Sequence, residues 1–161
     1  IVLDCEMIGT GPKGKISELA RLSAVDFLTG ELLIDTLVHP QHEVTDWRTK
    51  WSGITAEMVQ TAISSGTILT NATAARTELF KHMDSETILV GHALHNDLHA
   101  LRIHHNQTFD SSTLASVAVG ACIRKLWGLK ALCKELLEIT VQDNGYHGHD
   151  AVEDALAARE L

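Results

Sequence analysis

The sequence predicts an α/β or α+β domain with one mixed sheet covered by helices, and three observations carry that prediction. Apolar runs of strand character come first, the second half alternates helical and strand patterns, and glycine-marked turns separate the runs. A chain of 161 residues, 45% hydrophobic and 21% charged, is expected to form one domain over 1–161 with an ordinary core. Those fractions exclude disorder, and two prolines and 11 glycines exclude a collagen-like chain. The longest nearly apolar stretch, Leu114 to Ile123, is about half the roughly 20 residues that a membrane helix needs.

In chain order, Ile1-Val2-Leu3 reads as a buried strand, and residues 16–27 and 31–38 as two more that form a hairpin at Thr29-Gly30. A short helix starts near Thr55, whose hydroxyl can cap it. A longer helix covers about 72–83, with Ala75, Leu79 and Met83 on one face. Thr87-Ile88-Leu89-Val90 reads as another buried strand, ended by Gly91. Asn96 or Asp97 opens a helix to about His104, and a short strand near Phe109 precedes helices at about 113–122 and 129–138. The last helix is the best marked, because Asp150 and Glu153 have the spacing of a capping box before an Ala- and Leu-rich run. The chain starts directly on a strand and stops within a helical pattern at Leu161, so it is expected to be a domain excised from a longer protein.

Charge and cysteine content narrow the function. A net charge of −8 argues against a broad basic surface as the means of holding nucleic acid, but a carboxylate-rich metal site would itself make the metal-free chain acidic. Cys5, Cys122 and Cys133 are odd in number and far apart, which fits a reducing compartment better than a disulfide framework.

Asp4 and Glu6 follow the first apolar run, and the two-residue period of a strand turns both carboxylates to one face and Cys5 to the other. Paired acids at a buried strand end repel each other unless a cation neutralises them; solvated acids at an exposed strand end are the plainer reading. Asp97 follows the strand that ends at Gly91, where sheets of this class place ligands, or it serves only the dipole of its helix. Asp154 lies in the first turns of the last helix, five residues after His149. Together these four acids and one histidine supply hard oxygen ligands for two cations and a base with a near-neutral pKa.

The segments Asp4-Cys5-Glu6-Met7-Ile8-Gly9, Gly91-His92-Ala93-Leu94-His95-Asn96-Asp97-Leu98 and His149-Asp150-Ala151-Val152-Glu153-Asp154-Ala155 resemble the three motifs of the DEDDh 3′→5′ exonucleases. With Ser52-Gly53-Ile54-Thr55, the chain looks most like the Rex-type RNA exonucleases and their interferon-induced relatives. The histidine five residues before the last Asp fits the histidine branch; the tyrosine branch would put its base at position 150, where Asp150 stands. The resemblance implies a ribonuclease H-like fold, with a mixed five-stranded sheet flanked by helices. It implies that Asp4, Glu6, Asp97 and Asp154 hold two Mg²⁺ or Mn²⁺ ions, with Asp4 as the bridge, and that His149 takes a proton from the attacking water. Met7, Arg48 and Ile54 match positions near the 3′-terminal nucleotide; core packing, or a surface charge for Arg48, is the alternative for each. The implied substrate is a single-stranded RNA 3′ end, or DNA in a related member, and the implied place is intracellular, in the nucleus or nucleolus or else the cytoplasm.

Other chemistries fit less well. His95 and His99 share a helix face at zinc-ligand spacing, but no third ligand accompanies them. Arg124, Lys125, Lys130 and Lys134 surround Trp127 and either track a phosphate backbone or form a solvated helix face. Lys13 and Lys15 sit in a glycine-rich loop from which they reach a substrate or only solvent. An aspartyl-phosphate phosphatase needs a second Asp where Glu6 stands. A binding module with a decayed site is disfavoured because all five expected residues are present.

Overall fold

In the computed structural model, residues 1–119, 127–143, 145 and 148–161 are described. In chain order the elements are β1 (Val2–Thr10), β2 (Ile16–Val25), β3 (Leu32–Val38), β4 (Val44–Asp46), α1 (Thr49–Ser52), α2 (Ala56–Ser65), β5 (Ile68–Leu69) and α3 (Ala72–Leu79). There follow β6 (Leu89–Gly91), α4 (His95–Leu101), β7 (Thr108–Asp110), α5 (Ser111–Val119), α6 (Leu129–Leu132) and α7 (Ala151–Glu160). The strands form one mixed sheet in the order β5-β3-β2-β1-β6-β7, with β4 beside the far end of β1. The β1–β2–β3 hairpins are antiparallel, whereas β6, β7 and β5 run parallel to their neighbours.

The expected five-strand path, β3-β2-β1-β6-β7, is therefore present within a sheet of seven strands among the described residues. The two additional strands, of three and two residues, give partners to backbone groups that would otherwise be open: β4 at Gly9 and Thr10, and β5 at Leu37 and Val38. The first strand is also longer than its sequence suggests. Asp4 and Glu6 interrupt the apolar run without ending it, so the acids stand inside β1 rather than after it.

Helices cover both faces. Leu3, Cys5, Leu22 and Leu89 pack against Ala75 and Leu79 of α3 and Leu101 of α4, while Val2, Val25 and Val90 pack against Ala155, Ala157 and Ala158 of α7. Fully burying a side chain such as Leu79 stabilises by about 1.5–3 kcal/mol relative to exposure. A third cluster, Ile8, Ala20, Ile54 and Val59, seats α2.

The hairpin turn is organised by Asp26, whose Oδ1 accepts from the N–H groups of Leu28 and Thr29 and from the Thr29 hydroxyl, with Gly30 at φ 72°. Thr55 caps α2 as expected, accepting from Met58 N. Helix α3 stops at Leu79 rather than Met83, because Asp84 collects the N–H groups of Glu86 and Thr87 into a turn. Met83 still packs on the core. Helix α5 starts at Ser111, two residues earlier than expected, where the Asp110 carboxylate accepts from Ser112 N; its expected end at 122 lies outside the described residues. Helix α6 runs into one π turn, Cys133–Leu137. Among the described residues no helix is long and apolar enough to cross a membrane.

Candidate active site

The site forms where β1 lacks a partner strand. Its β2 side is paired along its whole length, but on the other side β6 meets it only at Val2 and β4 only at Gly9 and Thr10. Asp97 fills part of the gap, its Oδ1 accepting from Cys5 N at 2.8 Å. The turn that delivers Asp97 is tied down by Asp110, whose two carboxylate oxygens accept from Ala93 N (3.0 Å) and Leu94 N (2.9 Å), with Ala93 in the left-handed region at φ 54°. Burial pushes the Asp110 carboxyl up, and its hydrogen bonds outweigh that and hold it below the usual carboxylate range. Between the pairs Glu6–Arg21 and Met7–Leu19, β2 carries Ala20 as an extra residue, a β-bulge beside the acids.

From the opposite face α7 brings Asp154. Asp150 caps this helix by accepting from Val152 N, but the reciprocal half of the expected capping box is not made: Glu153 instead accepts from the backbone N–H of Gln142 at 3.0 Å. The Gln142 side chain donates to Asp154 Oδ2 at 2.7 Å, and His149 Nδ1 lies 3.4 Å from the same oxygen. The other oxygen, Asp154 Oδ1, is buried without a hydrogen-bond partner. His149 is held by its backbone, which donates to Trp51 O at 2.8 Å. Gly148 makes that contact possible. At φ 76° it lies against α1 so closely that a Cβ there would fall 2.3 Å from Thr49 O and from Gly53 N.

Glu6, Asp97 and Asp154 are 8%, 4% and 4% exposed, and Asp4 is partly buried. Burial, then the charges of Asp97, Glu6 and Asp154, raise the Asp4 carboxyl well above the usual range. Glu6 is pushed up to about 8, by burial first and then by Asp154, against the pull of Arg21. Asp97 rises to about 7 through burial, although the Cys5 N–H bond pulls the other way. Asp154 is raised by burial, with Gln142 and His149 opposing. Acids gathered in this way share a cost that a divalent cation removes, and the unpartnered Oδ1 of Asp154 supplies a free ligand atom. The donor set fits such an ion.

Three of the five residues expected from the motifs come together directly. Glu6, His149 and Asp154 each offer a ligand atom within 4.8 Å of the others, the single such group among the described residues; Asp4 and Asp97 lie outside that trio but interact electrostatically with it. His95 and His99 form no such group. The three residues matched to the terminal nucleotide are placed less uniformly. Met7 is half-buried after the bulge. The Arg48 guanidinium donates to Ser17 Oγ and Gly14 O, both at 2.8 Å, and so braces the loop after β1. Ile54 is 1% exposed and packed with Ile8, Ala20 and Val59, which favours the core-packing alternative over contact with a base. Of the basic cluster, Arg124 and Lys125 lie outside the described residues, and Lys130 donates to Gln142 O. Cys122 also lies outside them, while Cys5 and Cys133 are buried free thiols.

Sequence reasoning missed Gln142, Gly148, Asp110 and Arg21. Arg21 faces Glu6 across the strands, forms a bidentate pair with Asp35 (2.7 and 2.9 Å) and approaches Asp150 at 3.5 Å. Asp110 had a usable signal, since Asp110-Ser111-Ser112 before an apolar run is a helix start. Gln142 had none.

A buried acid cluster with an adjacent imidazole, beside the partly unpaired flank of β1 and between helices from both faces, is an arrangement suited to hydrolysis assisted by a cation. The Exonuclease family model matches residues 1–161, and the chain belongs to that family. It is 39% identical over 165 residues to the rat apoptosis-enhancing nuclease, covering 100% of this chain and 47% of that protein. It is 39% identical to the human interferon-stimulated 20 kDa exonuclease-like 2, covering 100% of this chain and 44% of that protein. RNA exonuclease 4 of Candida glabrata is 38% identical over 159 residues, with coverage of 98% and 56%. The chain thus spans about half the length of the curated relatives it matches. Among solved structures, the Neurospora crassa Pan2 catalytic unit superposes with a TM-score of 0.82 at 26% identity, over 99% of this chain and 26% of that one. A Saccharomyces cerevisiae Pan2 module solved with AAGGAA RNA gives 0.81 at 22% identity, over 98% of this chain and 27% of that one, and shows the ribonuclease H-like fold.

Proposed function

We propose that this domain is a 3′→5′ exoribonuclease that hydrolyses the terminal phosphodiester of single-stranded RNA and releases nucleoside 5′-monophosphates. The observation that carries this reading is the convergence of Asp4, Glu6, Asp97 and Asp154 from three elements, with His149 3.4 Å from Asp154. The four carboxylates hold two divalent cations, Mg²⁺ or Mn²⁺, which when bound offset the charge that develops on the phosphate and on the attacking and leaving oxygens. Asp154 Oδ2 lies 3.4 Å from His149 Nδ1 and so orients the imidazole, which leaves Nε2 to take a proton from water and pass it on. Gln142 fixes the Asp154 carboxylate, and the Trp51 carbonyl fixes the His149 backbone, so base and acids keep one geometry. Family relatives named as RNA exonucleases support RNA as the substrate. The family resemblance supports an intracellular site of action, in the nucleus or nucleolus or else the cytoplasm, and the free thiols Cys5 and Cys133 accord with a reducing compartment.

DNA is the second reading, because carboxylates and cations do not see the 2′-hydroxyl and because the apoptosis-enhancing nuclease has a name that specifies no sugar. Digestion of 5′-labelled RNA and DNA of one sequence, with Mn²⁺ or with chelator, separates the readings. The expected result is a ladder shortening one nucleotide at a time from the 3′ end, faster on RNA and abolished by chelator. Internal cuts, or cleavage that persists in chelator, would overturn the proposal.

A further inference from the structure

Trp51 stands in α1 and is 58% exposed, whereas Trp47, four residues earlier, packs on the Ile8 and Ile54 cluster. An open indole of this size presents a large apolar face to water, and here it lies on a rigid support. The α1 turn is locked by Thr49 Oγ1 to Ile54 O (2.6 Å), Ser52 Oγ to Trp47 O (2.9 Å) and Ile54 N to Ser52 Oγ (3.1 Å). The Trp51 carbonyl is one hydrogen bond from His149, and the Lys50 ammonium lies 5.7 Å from the indole centroid.

On a chain of net charge −8, a single strand must be held by local features rather than by a broad basic surface. A solvent-facing aromatic ring accompanied by a cation is the local feature that suits unpaired bases, because every base has a π face and a phosphate beside it. We propose that Trp51 is a stacking platform for a nucleobase of the single-stranded substrate next to His149, with Lys50 serving the adjoining phosphate. The proposal rests on the nuclease reading of the same site. It gives the domain affinity for unpaired ends without sequence preference, and it discriminates against duplex ends, whose bases are already stacked.

The test uses a fluorescein-labelled oligouridylate in chelator for binding, and in Mn²⁺ the same RNA and bis(p-nitrophenyl) phosphate, an ester with no base. Trp51→Ala is expected to weaken RNA binding by about tenfold, the scale of one base–aromatic stack, and Trp51→Phe to restore most of it. Bound RNA quenches tryptophan emission in the parent, and that quenching is expected to be lost in Trp51→Phe. In turnover, the fall in kcat/KM for RNA caused by Trp51→Ala exceeds any fall for the baseless ester by about the same factor. Parental affinity in Trp51→Ala, or equal losses on both substrates, would overturn the proposal, the latter by showing a purely structural role. A parent that hydrolyses neither substrate yet binds RNA with Trp51-dependent quenching would sink the nuclease reading and leave the stacking platform standing.

Discussion

Replacement of His149 by alanine lowers turnover on RNA by a factor of about 10² to 10⁴, the usual cost of removing a general base, while cation binding and thermal stability stay close to the parent's. The reason lies in how the residue is held. Its side chain is partly exposed and lies 3.4 Å from the Asp154 carboxylate, while its position is set by the backbone bond to Trp51 O, which alanine retains. The four acids keep their places. Single-turnover rates at saturating Mn²⁺, together with melting curves, check the separation; parental turnover in the variant would remove His149 from the chemistry.

The second large effect comes from a residue that touches no substrate. Gly148→Ala is expected to lose nearly as much activity as His149→Ala. The added Cβ would fall 2.3 Å from Thr49 O and Gly53 N and 2.5 Å from Gly53 Cα, all backbone atoms that cannot swing aside. The loop must lift from α1, which breaks the His149 N–H bond to Trp51 and moves the imidazole. The left-handed backbone alone costs an L-residue about 1–2 kcal/mol, and each kcal/mol moves the Tm of a domain this size by roughly 2–4 °C. Gly66→Ala is the control: its φ is 68° but nothing lies within 4 Å, so it carries the backbone cost without the collision. Measured side by side, Gly66→Ala loses stability and keeps turnover, while Gly148→Ala loses both. Parental activity in Gly148→Ala would show that His149 does not depend on this contact.

Much of this architecture is legible in the sequence, and the limits have physical causes. The long strands and the Thr29-Gly30 hairpin announce themselves through apolar runs and turn chemistry, and the five candidate site residues are singled out by motif spacing. Strands β4 and β5 are too short to show a period. The length of β1 is hidden because two acids stand in it, and they are tolerated only because the chain folds a site around them. Glu153 has the spacing of a capping box, yet the backbone of Gln142, eleven residues away, takes its carboxylate. Ile54 shares a motif with the site but is consumed by packing against Ile8 and Val59. Gln142 and Arg21 act through partners distant in sequence, which no local pattern encodes.

The central claim is that a divalent cation relieves the mutual repulsion of these acids. Glu6 and Asp97 hold their protons to about 8 and about 7 in the folded chain, against 4.5 and 3.8 ordinarily, so over that window the native state binds more protons than the unfolded one. Stability of the metal-free protein is therefore full below the ordinary values and falls as pH rises through the folded ones. Thermal melting at pH 5 and pH 8, with and without millimolar Mn²⁺, reads both effects. The account predicts a lower metal-free Tm at pH 8, a large rise with Mn²⁺ there, and a much smaller rise in Asp154→Asn. An unchanged Tm of the parent under saturating Mn²⁺ at pH 8 would contradict it.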